Sequence, residues 1–339
     1  MRYRKFGPLD WEASILGLGA AMLPEDRRAS IELIRCAIDH GVNYFDLGYP
    51  YNMERHDRLA AVVAEALNGA FRDRVRVAVT LPSDLIHSTA DLDRYLSRQL
   101  EKTGLDRADF CLFGRLNRGN WPVLEVLGAL KLVETAIRDG RIGGMGFSFH
   151  DHYQPLKSIV ESYDHWVLGQ FQFSFMDIRH DPGISGIKYA ARKGLAVVVN
   201  EPLKTGRLLR DIPQPAAQIY AGAAVKRSLA EWCLKFVWNY PEVTTIVGDI
   251  ASTGEFMESL TLADSAGPDS FGIEEEVLIS SVRDAYLALR QIQCSSCQAC
   301  MPCPEEIDVP RIFELYNDAL MYGDLETARL IYANARHNA

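Results

Sequence analysis

The chain has 339 residues, of which 48% are hydrophobic and 24% are charged, and its formal net charge is −9. This length is enough for one large globular domain with an appendage, and an acidic balance without any basic block argues against a nucleic-acid partner. The first residues, MRYRKFGPLDW, lack the apolar core of a signal peptide, and no apolar run reaches the ~18 residues of a membrane span. We therefore expect neither a nucleic acid nor a membrane as a partner.

Short apolar runs and amphipathic helical segments alternate along most of the chain. Residues 3–6 and 13–16 flank a turn at Gly7 and Pro8, which predicts an N-terminal hairpin. Helical spacing of apolar residues marks 31–39, 56–67, 92–103, 124–138, 156–162, 184–193 and 224–239. Apolar strands are predicted over 44–47, 75–81, 110–113, 142–149, 167–173, 196–200 and 245–247.

With residues 13–16 as the first strand, eight apolar strands alternate with helices. Continuous apolar strands bounded by helices are typical of a parallel sheet that is buried on both faces. Eight such units within ~230 residues predict an α/β fold of the (β/α)8 TIM-barrel type. The alternative is a doubly wound open sheet, but no G-x-G-x-x-G motif follows the first strand. We expect the barrel within residues 1–271 and a C-terminal helical segment within residues 272–339.

Four of the seven cysteines lie in one run, CSSCQACMPCP, at residues 294–304. Cys294, Cys297, Cys300 and Cys303 stand three residues apart, and Pro304 follows the last. This pattern is similar to bacterial ferredoxin ligation, although the last gap is two residues rather than three. It predicts a 4Fe–4S cluster. Zinc, which is more typical of separated C-x-x-C pairs, and a redox disulfide are the alternatives.

The other cysteines, Cys36, Cys111 and Cys233, lie in apolar periodic segments and are predicted to be buried thiols. An oxygen-sensitive cluster together with free thiols indicates a reducing cytoplasm. The predicted cluster also makes an electron-transfer protein a candidate partner.

Several segments of the chain, taken together, resemble the aldo/keto reductase superfamily, in the branch that carries a C-terminal iron–sulfur motif. They are, in order, RKFGPLDWEASILGLG, NYFDLGYPY, GRIGGMGFSFH, QFQFS, EPLKTGRL and CMPCPEEIDVPRIFELYN. The resemblance covers nearly the whole chain. It implies hydride exchange between NAD(P)H and a small carbonyl or alcohol substrate at the mouth of a barrel.

Reductases of this family use a tetrad of Asp, Tyr, Lys and His. Asp46 and Tyr51 match it in identity and in their five-residue spacing. The resemblance assigns the lysine position to Thr80 and the histidine position to Phe113, so half of the tetrad is replaced. Without the lysine, the pKa of Asp46 is expected to rise, and Tyr51 loses the charge that would make it a better acid. His150, at the end of the fifth predicted strand, is a candidate replacement.

Three more polar side chains are expected near the same strand ends. His56 is a second candidate for a lost acid or base, although isolated histidines in loops are more often only locally bonded. Arg55 is a candidate counter-charge for Asp46. Arg115 is a candidate clamp for an anionic substrate.

The resemblance also implies a cofactor site. Ser148 and Gln170 match positions that hold the nicotinamide carboxamide, and Asn200 replaces the aromatic ring that stacks on the nicotinamide. After the last strand, GDIASTGEFMESL contains acidic residues and no Lys or Arg. Carboxylates repel a 2′-phosphate and accept from a 2′-hydroxyl, so NAD(H) is favoured over NADP(H). The cofactor residues implied are Ser148, Gln170, Asn200, Glu201, Leu203, Gly206 and Asp249.

These observations lead to three hypotheses for the function. The first is an aldo/keto reductase-like iron–sulfur oxidoreductase with an incomplete tetrad, and we favour it because much of the dinucleotide site is retained. The second is a non-redox lyase, dehydratase or isomerase on the same barrel. The third is a non-catalytic redox or partner-binding subunit.

Overall fold

The computed structural model describes residues 1–179, 182–248, 250–268, 270–294, 299–305 and 307–337, without the side chains of residues 334–337. The strands are β1 Tyr3–Lys5, β2 Glu12–Ser14, β3 Leu16–Gly19, β4 Tyr44–Asp46, β5 Arg76–Leu81, β6 Ala108–Leu116, β7 Ile142–Phe149, β8 Trp166–Gln172, β9 Ala196–Asn200 and β10 Val243–Gly248. The helices are α1 Arg27–Asp39, α2 Met53–Ala66, α3 Thr89–Thr103, α4 Trp121–Val126, α5 Ala129–Arg138, α6 Tyr153–Glu161, α7 Gly183–Arg192, α8 Gln214–Ala221, α9 Leu229–Trp238, α10 Thr253–Asp264, α11 Ile273–Leu287, α12 Val309–Tyr322 and α13 Leu325–His337. Among these helices, none combines the length and the apolar character that a bilayer crossing requires.

Strands β3 to β10 close into a barrel of eight parallel strands, in which β10 pairs with both β9 and β3. Helices connect successive strands, as the right-handed crossover of parallel strands requires. The predicted (β/α)8 fold is therefore confirmed. The predicted N-terminal hairpin is confirmed as well, because β1 and β2 pair in antiparallel orientation.

The first barrel strand lies later in the chain than the sequence pattern predicts. Residues 13–16 do not form one strand, because β2 ends at Ser14 and β3 begins at Leu16. At this junction the Ser14 N–H donates to Asn43 Oδ1 at 2.7 Å, and the Asn43 N–H donates to Ser14 Oγ at 3.2 Å. These bonds tie the end of β2 to Asn43, just before β4, at the point where the chain passes from the hairpin into the barrel.

The single helix predicted over residues 124–138 is also wrong. It is divided into α4 and α5 by Gly128, whose φ of 66° lies in the left-handed region that glycine adopts without a steric cost. Apolar periodicity continues across this break, which explains why the pattern resembled one helix.

The hairpin closes the amino end of the barrel. Phe6, which follows β1 and is fully buried, stacks on Phe110 of β6 with ring centroids 4.9 Å apart. Gly7 has a φ of 54°, and a Cβ at this position would lie 2.6 Å from the Ala196 nitrogen. The close approach to β9 therefore requires glycine, and it presses the hairpin turn against the strand beginnings.

The chain divides into two compact units. The barrel unit comprises Met1–Pro202 and Leu234–Ser270, and the second unit comprises Leu203–Cys233 and Phe271–Ala339. Within the second unit, Trp232 stacks on Phe271 at 5.6 Å, and Arg227 pairs with Glu275 at 2.6 Å. The aromatic contact and this partly buried ion pair join residues 227–232 to the start of α11 in that unit.

Candidate active site

The carboxyl ends of the barrel strands carry one layer of inward-facing positions. Side chains two residues apart on a strand share a face, so the residue two places after a core residue faces the same interior. Tyr44, Ala78, Leu112, Leu168 and Val198 belong to the buried core inside the barrel. The next inward positions are Asp46, Thr80, Gly114, Gln170 and Asn200, and Ser148 of β7 pairs with Gln170 at the same level. A TIM barrel uses this end for binding and catalysis.

Asp46 is a buried carboxylate at this end, with 3% of its surface exposed. Burial raises the pKa of Asp46, while hydrogen bonds from the Gly48 N–H at 2.9 Å and Gln170 Nε2 at 2.8 Å oppose the rise. Among the described residues no Lys or Arg pairs with this carboxylate. The geometry therefore favours the neutral acid more than an ordinary aspartate does.

Two side chains that the sequence placed beside Asp46 point elsewhere. Arg55 donates from Nη2 to the carbonyl of Ala21 at 2.9 Å, so it is not the counter-charge of Asp46. His56 is 5% exposed, and its Nε2 lies 2.9 Å from Gln99 Oε1. Burial lowers the pKa of His56, which makes it a neutral structural imidazole rather than an acid or base of the site.

The residue of β6 that faces the mouth is Gly114, not Phe113. Phe113 is fully buried, and its ring packs against Trp121 and Trp166 with centroids 6.3 and 6.4 Å away. A Cβ on Gly114 would lie 2.5 Å from the Tyr49 ring and 2.7 Å from Thr80 Cγ2. Phe113, to which the resemblance assigns the histidine position, therefore does not face the mouth, because the strand alternation turns its side chain away.

A pair of tyrosines lies at the rim of the mouth. The rings of Tyr49 and Tyr51 are 4.7 Å apart, and the Arg115 guanidinium lies 5.6 Å from each ring centroid. Tyr51 is 75% exposed, whereas Tyr49 is half-buried and its hydroxyl lies 3.3 Å from Asp84 Oδ2. Burial, followed by the charge of Asp84, raises the pKa of Tyr49, so its hydroxyl is a poor acid.

His150 is half-buried directly after β7, and its N–H donates to the carbonyl of Leu116 at 3.0 Å. The next residue, Asp151, was not identified from the sequence. It is 8% exposed and accepts from the Arg118 N–H at 2.8 Å and from Arg118 Nε at 2.9 Å. Burial works to raise the pKa of Asp151, but the bonds from Arg118 and His152 lower it below its ordinary value. This pair fixes the loops that follow β6 and β7.

Three residues of the predicted cofactor set share the mouth. The Ser148 Oγ accepts from the Arg115 N–H at 2.7 Å, and Gln170 donates to Asp46. The Asn200 Oδ1 is buried and accepts no hydrogen bond from the described part of the chain. A buried acceptor without a donor is costly, which marks this oxygen as one that a ligand can satisfy.

Three more of the predicted cofactor residues, Glu201, Leu203 and Gly206, lie in the segment after β9. Glu201, at the end of the barrel unit, and Lys204 and Thr205, in the second unit, are non-glycine residues with φ between 51° and 54°. Leu203 and Gly206 belong to the second unit, where the Leu208 N–H donates to the Leu203 carbonyl at 3.3 Å and the Leu209 N–H to the Gly206 carbonyl at 3.0 Å.

Beyond β10, Asp249 lies outside the described residues. Glu255 has a local role in the structure, because its Oε2 accepts from the Ala251 N–H at 2.9 Å while its own N–H donates to Ser252 Oγ at 3.2 Å. This reciprocal arrangement caps α10.

The cysteine run is described only in part. Cys294 and Cys303 are half-buried and Cys300 is exposed, all three without a disulfide, and Cys297 lies outside the described residues. In the part of the chain that is described, no three His, Cys, Asp or Glu side chains are placed to hold a metal ion. Cys111 and Cys233 are buried thiols as predicted, whereas Cys36 is only half-buried.

Comparison with known proteins agrees with this architecture. The aldo/keto reductase family matches residues 15–264 of the chain. An aldo-keto reductase from Bacillus halodurans in its holo form is similar in structure, with a TM-score of 0.70 and 20% identity, over 83% of this chain and 96% of that chain. One from Klebsiella pneumoniae in complex with NADPH has a TM-score of 0.68 and 20% identity, over 83% of this chain and 95% of that chain. No curated protein matches the chain in sequence.

Asp46 and Asp151 predict opposite effects of pH on stability. The pKa of Asp46 is higher in the folded protein than the ordinary value of 3.8 that it has in the unfolded chain, so this residue stabilises the fold at acid pH. That contribution is lost as the pH rises from 3.8 through the folded-state pKa. At pH 7 to 8, Asp46→Asn is therefore expected to melt about 2–4 °C above the parent, a difference that shrinks towards pH 4. Gln170 can turn its amide to accept from the new side chain. A lower melting temperature across this range would contradict the assignment.

Asp151→Asn is the matched control, for which the change in melting temperature is expected to have the opposite sign. A lowered folded-state pKa contributes stability above pH 3.8, which is lost as the pH falls through the folded value. This variant is expected to melt about 2–4 °C below the parent at pH 7, and the difference should shrink as the pH falls below 4. Thermal melting followed by circular dichroism from pH 3.5 to 8 measures both variants.

Proposed function

We propose that this chain, which belongs to the aldo/keto reductase family, is an oxidoreductase. It exchanges hydride between NAD(H) and a small carbonyl or alcohol substrate. The observation that carries the proposal is the polar layer at the carboxyl end of the barrel. In it, Gln170 bridges towards Asp46, and Ser148 and Asn200 present further polar atoms. An apolar barrel core has no structural need for these groups at one end, whereas a ligand site does.

The polar atoms of this layer fit a nicotinamide carboxamide. Gln170 donates through Nε2 to Asp46, which leaves its amide oxygen as an acceptor, and Ser148 accepts a backbone N–H and keeps its hydroxyl proton as a donor. The buried Asn200 Oδ1 is a third acceptor. A carboxamide carries both a donor and an acceptor, so these residues can hold it. NADH supplies the hydride when it is bound.

Tyr51 is the proposed proton donor to the substrate oxygen. When a carbonyl carbon receives hydride, its oxygen needs a proton, and the product is an alcohol. The Tyr51 side chain is 75% exposed, so a tyrosinate formed there can be reprotonated by water. Thr80 supplies no cation in place of the lysine that the family uses, which predicts a slower proton transfer than a lysine-assisted tyrosine gives. Asp46 and His150 remain proposed members of the same acid–base set.

Tyr51→Phe is expected to lower turnover by at least about 100-fold while the melting temperature stays within about 2 °C of the parent. The variant loses one hydroxyl from an exposed ring, so its folding is little affected. Tyr49→Phe is the matched control and should retain most of the turnover, because the Tyr49 hydroxyl bonds to Asp84 and is a poor acid. Turnover of the Tyr51→Phe variant at the parent rate would remove this residue from the mechanism.

NADH is expected to bind at least about 10-fold more tightly than NADPH. The segment GDIASTGEFMESL after β10 has no Lys or Arg for the 2′-phosphate, and Asp249, Glu255 and Glu258 add negative charge. Isothermal calorimetry with the two reduced cofactors measures the difference. Tighter binding of NADPH would show that a Lys or Arg outside this segment binds the 2′-phosphate.

A non-redox enzyme on the same barrel is the second candidate. The Tyr49 ring lies against Gly114, so an aromatic ring stands at the mouth close to Thr80, the position to which the resemblance assigns the lysine. A lyase, dehydratase or isomerase would need Asp46 and Tyr51 as acid and base but no dinucleotide. The calorimetry above separates the two candidates, since this one expects no binding of either cofactor.

We propose further that the segment of residues 272–339 binds a 4Fe–4S cluster through Cys294, Cys297, Cys300 and Cys303. The regular spacing and the closing Pro304 support the proposal, and thiolates are the donors that iron–sulfur clusters prefer. A cluster and reduced thiols fit a reducing cytoplasm and a protein partner for electron transfer.

Protein purified without oxygen is expected to be brown and to contain about four iron and four sulfide ions per chain. Cys300→Ser should lower the iron content to less than half, because it removes one of four ligands. Cys36→Ser, which changes a thiol outside the run, should leave the iron content unchanged. Stoichiometric zinc without iron in the parent protein would show that the run is a zinc site instead.

A further inference from the structure

Arg115 is the residue that follows Gly114 at the mouth of the barrel, and its backbone is held in an unusual conformation. Its φ is 56°, in the left-handed region that non-glycine residues rarely adopt. Three hydrogen bonds maintain this conformation. The Arg115 N–H donates to the buried Ser148 Oγ at 2.7 Å, and the Arg115 carbonyl accepts from Asn117 Nδ2 at 3.1 Å and Asn120 Nδ2 at 3.0 Å. Backbone strain of this kind persists where the surroundings fix a side chain for a purpose.

The Arg115 guanidinium lies beside two aromatic rings and has unused donors. It is 5.6 Å from the ring centroids of both Tyr49 and Tyr51. Its ion-pair partner is Asp84, with Nη1 and Oδ2 3.6 Å apart, which is longer than the 2.7–2.9 Å of a hydrogen-bonded pair. Within the part of the chain that the structure describes, the guanidinium donates no hydrogen bond.

Asp84 is engaged by other donors, which leaves the guanidinium fork available. Its Oδ2 accepts from the Tyr49 hydroxyl at 3.3 Å, and its Oδ1 accepts from Asn120 Nδ2 at 2.9 Å. The Arg115 and Asp84 side chains are 44% and 39% exposed, so a small ligand can reach them.

We propose that Arg115 binds the carboxylate of the substrate, so that the natural substrate is a small oxo acid or hydroxy acid. This inference rests on the proposed function. A planar guanidinium with open N–H groups matches a planar carboxylate through two parallel hydrogen bonds, and the two tyrosine rings fix the plane of the fork. Asp84 disfavours a dianionic phosphate more than a monoanionic carboxylate, because the repulsion grows with the charge of the ligand. Ser148 links Arg115 to the predicted cofactor site, so acid recognition and reaction take place at one mouth.

The test compares a substrate that carries a carboxylate with a neutral one. The probes are 4-oxobutanoate and butanal, and oxidation of NADH by the full-length protein is followed by absorbance. Arg115→Met removes the charge and keeps an unbranched side chain, whereas Arg115→Lys keeps the charge and removes the fork. Arg55→Met is the matched control, since Arg55 is an exposed arginine whose guanidinium donates to the carbonyl of Ala21.

The parent is expected to prefer 4-oxobutanoate. Arg115→Met should lower kcat/KM for 4-oxobutanoate by about 10- to 100-fold and for butanal by less than about 3-fold. The kcat/KM of Arg115→Lys for 4-oxobutanoate should lie between the values of the parent and of Arg115→Met. Arg55→Met should have the kcat/KM of the parent for both compounds. Equal losses for the two compounds in Arg115→Met, or a parent without preference for the acid, would overturn the proposal.

A binding measurement separates this proposal from the proposed function. Succinate, which cannot be reduced at the mouth, is titrated into the parent and into Arg115→Met by calorimetry. If neither carbonyl compound is turned over, the oxidoreductase proposal fails, and succinate binding still decides on the carboxylate site. Binding that weakens at least about 10-fold in the Met variant supports the site, and equal or undetectable binding in both proteins overturns it.

Discussion

Closure of eight parallel strands into a barrel is the constraint on which the candidate site depends. In a closed barrel each strand sends alternate side chains inward, and the interior has room for one layer of side chains at each level. The inner levels are filled by the buried core around Phe6, Phe110 and Leu168. The last inward level is therefore the only one of these that a ligand can reach, and its polar residues come from strands far apart in the sequence.

This constraint explains the burial and the raised pKa of the Asp46 carboxyl. Its position on β4 places the carboxylate inside the barrel wall, where Gln170 and the Gly48 N–H are its neighbours and no described cation compensates the charge. Burial of a carboxylate is expensive, so it is retained where the neutral form or a ligand gives it a use. The absence of a side chain at Gly114 has a related effect, because the Tyr49 ring lies against that position and carries an aromatic face to the mouth.

The rim of the mouth is built from a chain of polar contacts rather than from packing. Ser148 bonds to the Arg115 backbone, Asn120 bonds to both Arg115 and Asp84, and Arg118 pairs with the buried Asp151. Buried or half-buried polar networks fix geometry because each unsatisfied member would be costly. These contacts fix the end of β6, so that Arg115 is held beside the two tyrosines of the segment after β4.

The sequence by itself determined the eight-strand alternation, the hairpin, the family resemblance and the identity of Asp46, Gln170 and Ser148 as mouth residues. Apolar periodicity and local motifs predict these properties, because both depend on the geometry of single strands and helices. Only the tertiary structure decided which side of β6 faces the mouth, since Gly114 and Phe113 are adjacent and alternation needs a fixed register. The partners of Arg55, His56, Arg115 and Asp151 were also decided there, because contacts between residues distant in sequence depend on how the loops fold over the strand ends.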